Sequence, residues 1–185
     1  MRPFRILLII VMFECAALAK GGDLIDTAEL SYGKKEYYNA VTELMRFQFL
    51  FPDDERYPES MILMGKSYYM GGNTSEAALI FSDCYKKYPE SYSGQQALFY
   101  SGYIRLAEGS FYYAMKMFQE YKFVYKNGDF YEDSVFNICL AEILAENYSD
   151  AQNALAAYRK QFPEGRYGKE ADLLSARIDR KSTRL

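Results

Sequence analysis

The chain has 185 residues, half of them apolar and 17% aromatic, with a formal charge of −3 and a pI near 5.2. Such an acidic chain lacks the basic face on which nucleic-acid affinity is built, which excludes nucleic acid as the expected partner. It contains no His, so the usual neutral-pH acid/base group and the commonest metal ligand are missing, and neither a metal nor a cofactor is expected.

Residues 1–19 have the pattern of a secretory signal peptide. Met1 to Arg5 make a basic start, Ile6 to Phe13 an unbroken apolar run, and Ala17-Leu18-Ala19 a small-x-small cleavage site before Lys20. Eight apolar residues ahead of Glu14 fall short of the about 20 that span a bilayer, so cleavage and export are expected, with a retained anchor as the alternative. Cys15 follows Met12-Phe13-Glu14 and not the small residues of a lipoprotein signal.

From there on the chain is periodic. Ala40, Ala77, Ala114 and Ala151 stand 37 residues apart, and other columns keep the same step: Leu44, Phe81, Phe118 and Leu155; Tyr37, Thr74, Phe111 and Tyr148; Ala28, Gly65, Gly102 and Cys139; Phe51, Tyr88, Tyr125 and Phe162. A period of this size predicts stacked helix-turn-helix units, none large enough to bury its own apolar face. The units span about 20–54, 55–91, 92–128 and 129–165.

In the second unit the spacing predicts a first helix, A, from Pro58 to Met70, ended by Gly71-Gly72, and a second helix, B, from Thr74 to Lys87. Asn73, Ser110 and Asn147 are expected N-caps of the B helices. Gly65 and Gly102, facing Ala77 and Ala114, are expected to let A approach B, with Phe81 and Phe118 one turn further on. Pro closes three of the units, in Phe51-Pro52-Asp53-Asp54, Tyr88-Pro89-Glu90-Ser91 and Phe162-Pro163-Glu164-Gly165. The third has Tyr125-Lys126-Asn127-Gly128, where Asn-Gly is expected to turn through left-handed backbone angles. Cys84 and Cys139 fall in different columns with most of a unit between them, beyond the roughly 7 Å that a disulfide bridges, and are expected as buried thiols. Residues 166–180 restart the pattern as a capping helix or the first helix of a fifth unit, with Lys169, Glu170, Asp172, Arg177, Asp179 and Arg180 on a polar outer side, and 181–185 form a tail.

These columns, with the fixed Ala, the Gly72 and Gly109 turns and the closing Pro, resemble the tetratricopeptide repeat (TPR) family over about residues 24–165. Three residues beyond the family's usual 34, and turns such as Tyr88-Pro89-Glu90-Ser91, are similar to the longer repeats of bacterial periplasmic and outer-membrane envelope TPR proteins, such as the Tol–Pal coordinator and the β-barrel assembly lipoprotein. The chain departs from the family early in helix A, where Leu24, Met61, Leu98 and Val135 replace a large aromatic residue. The resemblance implies an all-α, right-handed superhelical solenoid of four repeats that holds a protein or peptide partner in its concave groove. It further implies the periplasm or the periplasmic face of the outer membrane, with only indirect membrane contact.

By that resemblance the groove is lined by A-helix side chains at i, i+4 and i+7: Ile25, Glu29 and Tyr32; Ile62, Lys66 and Tyr69; Phe99, Tyr103 and Leu106; Phe136, Leu140 and Ile143. Tyr32, Lys66, Tyr69, Phe99, Tyr103, Phe136 and Leu140 are the candidate partner-binding residues, while Ile62, Leu106 and Ile143 are expected to pack on neighbouring helices. Of the pairs Tyr37-Tyr38, Tyr68-Tyr69 and Tyr112-Tyr113, one member each is expected to pack and the other to be exposed. Asn73-Thr74-Ser75 and Asn147-Tyr148-Ser149 match the glycosylation acceptor pattern but coincide with the expected caps. No Ser-His, Cys-His, phosphate loop or metal-spaced cluster occurs, and acidic pairs such as Asp53-Asp54 sit in turns, so no catalytic residues are expected. The alternatives to a scaffold are a self-assembling homo-oligomeric module and, more remotely, a helical hydrolase of cell-wall glycan.

Overall fold

The 37-residue columns become antiparallel helix pairs. The computed structural model describes residues 21–182, so the expected leader and Thr183 to Leu185 of the expected tail lie outside the described residues. Among the described residues the structure is all helical: α1 (Gly21–Gly33) with α2 (Tyr37–Leu50), α3 (Tyr57–Met70) with α4 (Thr74–Lys87), α5 (Tyr92–Ala107) with α6 (Phe111–Val124), α7 (Tyr131–Leu144) with α8 (Tyr148–Gln161), and then α9 (Gly168–Ser182). The chain divides after Cys84 into two units. In the first, α1 packs on α2 and α2 on α3; in the second, each helix from α5 to α9 packs on the next.

Every A-to-B turn has one geometry. The N–H groups of Glu36, Asn73, Ser110 and Asn147 donate to the carbonyls of Ser31, Tyr68, Arg105 and Glu142, and those of Lys35, Gly72, Gly109 and Glu146 to Tyr32, Tyr69, Leu106 and Ile143. This is the Schellman closure, which satisfies the last carbonyls of helix A and requires a left-handed residue after its cap. Lys35, Gly72, Gly109 and Glu146 are those residues, with φ of 64°, 85°, 77° and 61°.

The same closure corrects the expected N-caps at Ser110 and Asn147, while Asn73 keeps a long one. Ser110 and Asn147 have ψ of 59° and 63°, short of the extended backbone that aims a side chain at the helix start, and neither makes a side-chain cap bond. The Asn147 amide donates to Glu142 Oε2 instead, and Asn73 Oδ1 reaches the Glu76 N–H only at 3.5 Å.

Of the A helices, α5 carries a side-chain N-cap, Ser91, while before α3, α7 and α9 a side chain accepts from the N–H of the residue that precedes the helix. All four B-to-A turns close by N–H donation from Asp54, Ser91, Gly128 and Gly165 to Phe51, Tyr88, Tyr125 and Phe162. The Asp54 carboxylate accepts from the Arg56 N–H at 2.9 Å, and Ser91 Oγ from Gly94 N–H at 3.0 Å. Where the turn residue is glycine, a tyrosine of the preceding B helix supplies the oxygen: Tyr121 Oη accepts from Phe130 N–H at 3.2 Å and Tyr158 Oη from Tyr167 N–H at 3.0 Å. A Cβ at Gly128 or Gly165 would collide with those hydroxyls. The third turn therefore needs no left-handed residue, contrary to expectation: neither Asn127 nor Gly128 has positive φ.

The core lies between A and B. Ala40, Ala77, Ala114 and Ala151 are fully buried, with Leu44, Phe81, Phe118 and Leu155 beside them, each worth about 1.5–3 kcal/mol of burial. Gly65 and Gly102 accommodate the rings of Phe81 and Phe118, which are the nearest groups to a Cβ placed there, and not Ala77 and Ala114 as expected. Cys84 and Cys139 are buried thiols, and burial pushes the Cys139 pKa up to about 11. In α9, Ala171 and Ile178 face the α7–α8 core and the six expected charged residues are exposed.

Candidate functional site

Three A-helix columns were expected to face the partner, and the structure separates them. Ile25, Ile62, Phe99 and Phe136 are buried. Phe99 stacks on Phe130 with centroids 4.7 Å apart and also meets Phe118 and Tyr121, and Phe136 stacks on Tyr167 at 4.3 Å and meets Tyr158. Phe99 and Phe136 therefore leave the list of partner anchors, because each is clamped by the residue that precedes the next A helix. A pattern confined to one helix does not contain that contact.

The other two columns lie outside the core. In the first unit Glu29 is exposed, and Tyr32, Lys66 and Tyr69 are half-buried. Tyr32 meets Tyr37 edge-on at 5.6 Å, which fixes its ring, and burial lowers the Lys66 pKa. In the second unit Tyr103 is 43% exposed, while Leu106, Leu140 and Ile143 are half-buried, Leu106 against the α5–α6 core and Leu140 and Ile143 against the α7–α8 core. Each unit thus presents a tyrosine-bearing A-helix face: Tyr32, Lys66 and Tyr69 in one, Tyr103 and Leu140 in the other.

Tyrosine exposure elsewhere only partly follows the expected one-in, one-out rule. Tyr37 and Tyr38 obey it, but Tyr68 and Tyr69 are both half-buried, and Tyr112 and Tyr113 are both exposed, edge-on to one another at 5.5 Å.

The second unit also holds a polar cluster that the sequence did not disclose. Glu132 Oε1 accepts from the Tyr158 hydroxyl and the Arg166 N–H, both at 2.6 Å, while the Arg166 guanidinium reaches Glu132 and Asp133 and the Tyr167 hydroxyl donates to Asp133. Burial alone would raise the Glu132 pKa, but the hydrogen bonds from Tyr158 and Arg166 outweigh it and hold the carboxyl below its usual range. Burial, then the adjoining carboxylates, push the phenols of Tyr158 and Tyr167 up to about 12. With every carboxylate oxygen engaged by a donor, the cluster is built to hold the α8–α9 turn on the start of α7. Among the described residues no three His, Cys, Asp or Glu side chains converge on a point where a metal ion would sit, and no helix is long and apolar enough to cross a membrane.

One of the helix pairs, α3 with α4, with its Schellman turn and Ala77, matches a known family model, that of the tetratricopeptide repeat, over residues 59–91. Residues 59–91 are therefore similar to a tetratricopeptide repeat. The solved structures agree on a TPR-like solenoid fold. A putative kinesin light chain of Podosopora anserina with nearly identical TPR-like repeats superposes with a TM-score of 0.72 at 12% identity, over 90% of each chain. A double mutant of MamA RS-1 gives 0.67 at 16% identity, over 88% of this chain and 87% of that one, and the apo form of RapI gives 0.68 at 12%, over 91% and 65%. At these identities the likeness is one of fold. No curated protein sequence matches the chain.

Proposed function

We propose that this protein is an exported, non-catalytic TPR scaffold of the cell envelope that holds protein or peptide partners on the outward faces of its A helices. The observation that carries this reading is the split between columns: Ile25, Ile62, Phe99 and Phe136 are consumed by the core, whereas Tyr32, Lys66, Tyr69, Tyr103 and Leu140 remain at the surface of the same helices. Tyrosine suits such a surface because it offers a large amphipathic contact with few rotatable bonds, and a helical scaffold fixes it before the partner arrives. Export to the periplasm rests on the basic start, apolar run and Ala17-Leu18-Ala19 of residues 1–19.

Crosslinking capture in the source organism's envelope tests the scaffold role. A partner retained by the parent chain and lost in a Tyr69→Ala/Tyr103→Ala variant of unchanged circular dichroism is the expected result; equal capture by both rejects the A-helix face. Mass spectrometry of the native protein tests export, the expected N-terminus being Lys20.

Leu173 supports a second reading, self-assembly. It continues the Ile25, Ile62, Phe99 and Phe136 column yet is 72% exposed on α9. Sedimentation of the parent chain against Leu173→Glu distinguishes the two: a dimer that the charge abolishes supports assembly through α9, and a monomer in both rejects it.

A further inference from the structure

The α6–α7 turn of the second unit borders an open cavity of about 450 Å³, lined by Tyr92 and Gln95 of α5, the end of α6 and the turn itself, Lys126 to Asp129. Its volume lies within the roughly 300–1,000 Å³ of small-molecule sites. Two differences from the fourth repeat lie at its rim.

The first is in the turn. Pro52, Pro89 and Pro163 hold one column, and Lys126 replaces Pro in the third repeat, followed by Asn127 where Asp53, Glu90 and Glu164 stand. Proline there favours the turn by fixing φ, so its loss is a local rule broken at the mouth of the cavity. The second is an ion pair found in the fourth repeat alone, since its columns read Glu55, Tyr92, Asp129 and Arg166, and Gly21, Pro58, Gln95 and Glu132. One repeat later, Arg166 donates to Glu132 through its backbone N–H and its guanidinium. The residues 37 positions earlier are Asp129 and Gln95, which cannot form that pair.

The walls are fixed. Tyr125 donates its hydroxyl to Pro89 O at 2.5 Å and its ring lies 5.1 Å from that of Tyr121, while Tyr92 is half exposed with the Asp129 carboxylate beside its phenol. The side chains that ring the cavity are two tyrosines, Val124, two amides and one charge of each sign, Lys126 and Asp129, so the site carries no net charge to select an ion. Neutral ligands dense in hydroxyl groups and with apolar C–H faces match it best: planar amide and carboxylate groups bridge neighbouring hydroxyls, and tyrosine rings cover the C–H face.

We propose that this cavity binds a short neutral saccharide, between Tyr92 and Tyr125 and with Gln95, Asn127 and Asp129 as its hydrogen-bonding residues. This site is separate from the A-helix faces and does not depend on the scaffold role.

The test uses saturation-transfer NMR and calorimetry with N,N′-diacetylchitobiose, cellobiose and maltose, and with the peptide Ala-Ala-Ala as the competing class. The chain is compared with Gln95→Glu/Asp129→Arg, which installs the ion pair that repeat four already tolerates, and with Tyr92→Ala; circular dichroism confirms that each is folded. Binding of at least one disaccharide by the parent, weakened tenfold or more in both variants, is the expected result. Failure of all three disaccharides, equal binding by the ion-pair variant, or binding of the tripeptide alone overturns the assignment.

Discussion

Gly65 and Phe81 share one space: a Cβ on the glycine would lie 2.5 Å from Cε1 of the ring. The repeats solve this contact in two ways, as Gly65 with Phe81 and Gly102 with Phe118, or as Ala28 with Leu44 and Cys139 with Leu155. Gly65→Ala alone overpacks the contact and is expected to cost about 1–3 kcal/mol in equilibrium urea unfolding. Adding Phe81→Leu reproduces the first repeat's solution and recovers most of the loss, a coupling that the double-mutant cycle reads directly. A neutral Gly65→Ala would show that the helices separate freely there.

The fold was legible because the fixed Ala column, the glycine turns and the closing prolines all repeat in register and bear on the same helix pairs. The candidate site was legible only in part. Phe99 and Phe136 share helices with Tyr103 and Leu140, and what removes them from the surface is Phe130 and Tyr167, each contributed by the turn that precedes the next A helix. The N-cap column misled because Asn73, Ser110 and Asn147 are capping residue types at the right place, while the Schellman turn before them sets a backbone angle that takes the Ser110 and Asn147 side chains out of reach. Lys126 was visible as a departure from Pro, but the cavity it borders is also lined by Tyr92 and Gln95 of α5, which the turn sequence does not contain.

Lys35 and Glu146 occupy left-handed positions that Gly72 and Gly109 fill without penalty. Left-handed backbone costs a residue with a Cβ about 1–2 kcal/mol, offset in part by the greater unfolded-state freedom of glycine. Lys35→Gly and Glu146→Gly are each expected to stabilise by about 0.5–1 kcal/mol, raising the thermal midpoint by a few degrees, whereas Gly72→Ala lowers it.

Tyr121→Phe removes the acceptor of the part-buried Phe130 N–H, at an expected cost of about 1 kcal/mol. The first repeat pairs Phe47 with Asp54 at the same two columns, with the Asp54 carboxylate serving the Arg56 N–H. Tyr121→Phe/Gly128→Asp should therefore be more stable than Tyr121→Phe in chemical denaturation; a double variant no better than the single would contradict the exchange of one turn acceptor for the other.

The Glu132 cluster sets a pH window for α9. Glu132 is held below its usual carboxyl pKa in the folded chain, so its contribution is present above the unfolded value of about 4.3 and is lost as pH falls through the folded one. Tyr158 and Tyr167, raised to about 12, contribute fully below their ordinary value of about 10 and cease to as pH rises through 12. Thermal midpoints against pH should show both limbs, with the acid limb shallower in Glu132→Gln and the alkaline limb shallower in Tyr158→Phe.

The most direct test of the A-helix face places a photo-crosslinking amino acid at Tyr103 or, as a control, at Tyr112, which is exposed on helix B of the same repeat. Irradiation in the source organism's envelope should give a discrete partner adduct from position 103 and none from position 112. An adduct from 112 with none from 103 would contradict the assignment and move binding to the B helices.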